Sequence, residues 1–112
     1  MNLITVDTCK AVYRMLSNLP PFNKYKLPRP SEIDFVVVDD SEIYGQYTPE
    51  PHCIIISTAK QSHLQTFERT MAHEMVHLIM YLQGKRYELH NKTFYKLIYQ
   101  IADIYGWEPK DL

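Results

Sequence analysis

No charge of either sign dominates this chain: twelve Lys and Arg stand against thirteen Asp and Glu, for a net charge of −1. Nucleic-acid binding by bulk charge is excluded on that balance, although a local basic patch is not. Cysteine is scarce as well. Cys9 and Cys53 are too few for a disulfide framework and too far apart for a Cys-x-x-Cys metal site. Two buried thiols in a reducing compartment account for them. The opening Met1-Asn2-Leu3-Ile4-Thr5-Val6 has no basic residue and runs at once into Asp7, so a secretory leader is not expected. No apolar run is long enough to cross a bilayer, and there are neither repeats nor low-complexity tracts. These absences lead us to expect a cytoplasmic protein without membrane association. The 112 residues, 46% apolar and 22% charged, suit one globular domain spanning residues 1–112.

What is present reads as an α+β chain. Val6, Cys9, Val12, Tyr13, Leu16 and Leu19 recur at helical spacing, which predicts a first helix over Thr5–Leu19, stopped by Pro20-Pro21. The stretch from Phe22 to Pro30 carries Lys24, Lys26 and Arg29 among prolines and aromatics and reads as an ordered, solvated connection. Three short strands follow, Ile33–Val38, Glu42–Tyr47 and His52–Ser57, with Gly45 marking a bulge or a close approach and the centre of the third strand buried on both sides. Their turn-length connections suggest a small, mainly antiparallel sheet. From Ser62, which with Gln65 resembles a capping box, the pattern becomes helical. Leu64, Phe67, Met71, Met75, Leu78 and Leu82 form its stripe, and Gly84 is the expected stop. A last helix begins at an Asn91 cap, runs to Tyr105 with Gly106 beyond it, and buries Phe94, Leu97, Ile98, Ile101 and Ile104. Trp107 and Pro109 are expected to pack back onto the domain.

The most informative stretch is Met71-Ala72-His73-Glu74-Met75-Val76-His77-Leu78-Ile79-Met80-Tyr81-Leu82. Two histidines and a glutamate sit in an otherwise apolar helix, where burial without partners costs several kcal/mol for each polar group, on the order of 2–7. Residues i and i+4 share a helix face about 6 Å apart, so the two imidazoles can converge on one metal ion. His-Glu-x-x-His is the signature of a zinc hydrolase helix in which the glutamate acts as general base. A catalytic zinc takes three protein ligands and keeps a position for water. His90, four residues before Phe94, projects from the start of the last helix toward the same core and is the favoured third ligand, with Glu88 and Asp103 as alternatives. The longer pattern with a third histidine six residues after the second is absent, since Met80 and Gln83 occupy its glycine and histidine positions. His52 and His63 read as ordinary residues at a strand start and a helix start. Met71, Met75 and Met80 read as core.

Taken together, Cys53-Ile54-Ile55-Ile56-Ser57, the helix bearing His73-Glu74-Met75-Val76-His77, and His90-Asn91-Lys92-Thr93-Phe94 resemble the SprT-like or Spartan family of zinc metallopeptidases. The likeness is strong in the C-terminal half, while the first helix and earlier strands fit in order only. Asn91 stands where the family usually has glycine. The resemblance implies a zincin-like fold, Zn2+ held by His73, His77 and His90, Glu74 as general base, and a protein or peptide substrate lying along an exposed sheet edge. Tyr44-Gly45-Gln46-Tyr47 is the expected edge. The zinc ribbon and DNA-binding tails of longer relatives are not among these residues. Action on DNA-associated proteins would rest here on Lys24, Lys26, Arg29, Lys85 and Arg86. Two other readings compete: an inactive, zinc-stabilised protein-binding module, for which Glu74 has no use, and a metal-dependent ribonuclease resembling the YbeY family, which lacks the glutamate and places its third histidine closer.

Overall fold

The computed structural model describes residues 3–61 and 63–112. Helix α1 (Val6–Ser17) opens on Thr5, whose Oγ1 accepts a hydrogen bond from the Thr8 amide while the Thr8 hydroxyl accepts from the Thr5 amide. This reciprocal cap satisfies two amides that the helix itself cannot pair. Cys9, Val12, Tyr13 and Leu16 are buried, whereas Val6 and Leu19, expected on the same face, lie at its exposed ends. Two 3-10 turns, Phe22–Lys24 and Pro30–Glu32, organise the connection that follows. The buried Tyr13 reaches across to it, donating its hydroxyl to the Pro28 carbonyl at 2.6 Å.

Strands β1 (Asp34–Val38), β2 (Gly45–Thr48) and β3 (Cys53–Ser57) form one sheet in the order β1-β3-β2. β2 and β3 are antiparallel as expected, but β1 and β3 run parallel, so the sheet is mixed. The reason lies at Ser57. Its buried hydroxyl donates to the Asp40 carbonyl at 2.7 Å and accepts from the Asp40 amide at 3.0 Å, and its own amide donates to the Tyr44 carbonyl at 2.9 Å. The connection leaving β1 therefore wraps around the end of β3 and delivers β2 to its far side. In register, Phe35, Ile54 and Tyr47 form one buried row across the sheet, and Val37, Ile56 and Gly45 form the next. Ile55, on the opposite face of β3, is only half-buried, so that strand is fully covered on one side alone.

Helix α2 (Leu64–Leu82) begins with His63 at its N-cap, without a side-chain capping bond. The Ser62 capping box lies outside the described residues. Phe67, Met71, Met75 and Leu78 are buried with Ala72, Val76, Ile79 and Met80, while Leu64 and Leu82 run past the core at the two ends. Gly84, with φ +71°, ends the helix in the left-handed conformation that glycine adopts without strain. Helix α3 (Lys92–Tyr105) is capped by Asn91, whose Oδ1 accepts from the Phe94 amide at 3.2 Å, and closes on Gly106. Phe94, Leu97, Ile98 and Ile101 are buried; Ile104, expected with them, is exposed. Trp107 returns to the core edge, stacked on Tyr105 with ring centroids 4.9 Å apart. Helix α2 lies against the sheet, with α1 and α3 packed on it. Among the described residues, no helix is long and apolar enough to cross a membrane.

Candidate metal centre

Three imidazoles meet between α2 and the start of α3. The ligand-capable atoms of His73, His77 and His90 all lie within 4.8 Å of one another. His77 Nε2 is 3.2 Å from His73 Nε2 and 3.3 Å from His90 Nε2. Two nitrogens bound tetrahedrally at about 2.0–2.1 Å from one zinc are separated by about 3.3–3.4 Å. The spacing thus fits a metal of that size, and the three residues could hold one. Glu88 is elsewhere engaged, accepting from Arg86 Nε at 2.9 Å, and neither it nor Asp103 joins the cluster. His52 contacts the Tyr47 hydroxyl at 2.7 Å, and His63 stands at the start of α2; both are outside the cluster.

The surroundings favour the neutral forms of His73 and His77 and aim the His77 ring. His77 Nδ1 faces the Tyr87 carbonyl at 2.5 Å, an acceptor, so Nδ1 carries the proton and Nε2 presents its lone pair. Burial pushes the His77 pKa down, the Tyr87 bond working against it and His90 with it. His73 is pushed down to about 4, first by burial and then by the neighbouring His77 and His90 rings. Phe94 is the platform beneath all three: its ring stacks on His90 at 4.2 Å and on His77 at 5.0 Å, and meets His73 edge-on at 5.1 Å. The helical periodicity marked Phe94 as core, and this second role follows only from the packing. The Tyr87 carbonyl left no trace in the sequence, because every residue has one.

Glu74, one residue from His73, is 4% exposed, and burial alone raises its pKa to about 8. Its carboxyl has room because Gly45 lies opposite. A Cβ at Gly45 would stand 3.3 Å from Glu74 Oε2, 3.1 Å from Thr70 Cγ2 and 2.8 Å from the Ile55 carbonyl. The close approach anticipated at this glycine is therefore between the sheet and the site-bearing helix. Beside His73 and Glu74 opens a cleft of about 570 Å³, walled by Tyr44 and Gly45 on the sheet side and by Arg69 and Thr70 on α2. β2 is an outer strand of the sheet, so the edge expected from the sequence borders the cleft. Arg69 was not singled out by sequence reasoning.

No curated protein and no solved structure matches the chain significantly. Residues 26–111, however, match the SprT-like family over a span that takes in the whole sheet, α2, α3 and all three clustered histidines. The chain belongs to the SprT-like family.

Proposed function

We propose that the protein is a zinc-dependent endopeptidase in which His73, His77 and His90 hold the metal and Glu74 is the general base. The observation that carries this reading is the convergence of three imidazoles beside a buried carboxyl that opens into a cleft. When bound by three imidazoles, zinc acts as a Lewis acid and lowers the pKa of a coordinated water toward neutrality. Glu74 takes a proton from the attacking water and passes it to the leaving amine. Its pKa of about 8 belongs to a site without a cation; a dication next to it favours the carboxylate, the form a base needs. The substrate backbone pairs along the outer side of β2, which brings the scissile carbonyl past Glu74. Membership of the SprT-like family, whose metallopeptidase chemistry the sequence motifs already implied, supports the same reading.

The test combines metal content with cleavage of an unfolded protein substrate. Purified protein should carry about one zinc per chain. Glu74→Gln should keep it while cleavage drops by about 10²–10⁴-fold. His90→Ala should lose zinc more than Glu88→Ala does. Cleavage by Glu74→Gln at the parent rate would remove Glu74 from the mechanism. Full zinc loading with no cleavage by the parent would leave a zinc-stabilised binding module. Single-stranded DNA added to the same assay reads out any DNA dependence, for which exposed Lys24, Lys26 and Lys85 are the available contacts.

A further inference from the structure

Among the described residues, Arg69 in the cleft has a buried donor without an acceptor. Arg69 lies on α2 one turn before His73, and its Nε is shut off from solvent without a hydrogen bond. The side chain forms no ion pair with any described residue. A guanidinium nitrogen stripped of water and given no acceptor is destabilising until one arrives. Lys60, whose ammonium sits 4.8 Å over the Tyr44 ring, and Lys110 line the same cleft.

We infer that this end of the cleft is a subsite for a substrate carboxylate, with Arg69 as the specificity-determining residue and Lys60 in support. The inference rests on the proposed peptidase reading for the position of the substrate. A planar guanidinium matches a carboxylate through two parallel N–H···O bonds, which suits an enclosed site receiving one group at a fixed orientation. The i, i+4 relation puts Arg69 about 6 Å along the helix axis from His73, so the carboxylate belongs to a residue within one or two of the cleaved bond. Its source is an Asp or Glu side chain or a free chain end. A nucleic-acid backbone calls instead for a continuous track of exposed cations, and Asp111 interrupts any such track among the residues lining this cleft.

The experiment measures binding, by fluorescence anisotropy, to the zinc-loaded Glu74→Gln chain. The probes are eight-residue Gly/Ala peptides, labelled at the N-terminus and amidated, carrying one Glu at each position in turn, with matching Gln peptides. A Glu-free peptide with a free C-terminal carboxylate and a labelled oligo-dT complete the set. At one position Glu should bind about tenfold more tightly than Gln. Alternatively, the free chain end alone shows that gain, which identifies the source as a terminus. Arg69→Met should reduce the ratio to below about twofold, with Arg69→Lys retaining part of it; Lys60→Gln, an independent variant should Arg69→Met not fold, should reduce it about threefold. The inference is overturned if no carboxylate peptide is favoured, if the preference survives the Arg69 and Lys60 substitutions, or if those substitutions weaken oligo-dT binding alone. Because nothing here depends on turnover, a parent protein that cleaves nothing would sink the peptidase reading and leave this result standing.

Discussion

Glu74 and His73 are adjacent in sequence, and burial drives their ionisations in opposite directions. The carboxyl is raised to about 8 and the imidazole lowered to about 4, so both groups are neutral in the folded, metal-free site at neutral pH. Between about pH 4 and 6.5, unfolded His73 binds a proton that the folded residue refuses, so stability falls as pH drops through that window. Between about pH 4.5 and 8, folded Glu74 keeps a proton that the unfolded chain releases, so stability falls as pH rises. Thermal melts in chelator should therefore peak within about pH 4.5–6.5 and decline on both sides. Glu74→Gln should flatten the alkaline decline and leave the acid one. An unchanged alkaline limb would mean that the carboxyl is not held protonated. His73, Glu74 and His77 were legible from their spacing, and His90 from its place before a helix. Arg69 was not, because an unpaired cation on a helix differs from a paired one only in what surrounds it.

At the scale of elements, the contact between β2 and α2 decides whether Glu74 can occupy its place. Gly45→Ala adds a Cβ that meets the Ile55 carbonyl at 2.8 Å, a backbone atom fixed in the β2–β3 ladder. We expect a loss of about 1–3 kcal/mol in urea unfolding, with cleavage falling because the remaining adjustment comes from Thr70 and Glu74. Stability and activity equal to the parent would show that the sheet can retreat from the helix at no cost. The order and kind of the elements could be read from periodicity, caps and breakers. Strand pairing could not. Short connections read locally as hairpins, and the parallel β1–β3 ladder depends on how the Asp40 backbone clasps Ser57, a contact between residues 17 apart in the chain. Leu64, Leu82 and Ile104 keep the helical period but extend past the edge of the core, which the period alone does not locate.

Across the whole molecule, the candidate metal centre brings together side chains from separate elements. His73 and His77 belong to α2, His90 precedes α3, and the stretch between them contributes the Tyr87 carbonyl bonded to His77. A ligand that binds only the folded state adds stability by mass action, about 4 kcal/mol when free zinc is 1,000 times its Kd. Melting should accordingly rise with zinc concentration in the parent and much less in His77→Ala; equal rises would place the ion elsewhere. The connection from Leu82 to His90 is exposed except at Tyr87. A metal held by His77 and His90 would tether the chain on both sides of it, so amide exchange there should slow when zinc binds. This gives the connection a meaning for the protein's lifetime. Limited proteolysis with an added protease should therefore nick the chelated chain between Leu82 and His90 faster than the zinc-loaded one, and equal rates would show that the metal does not order this connection.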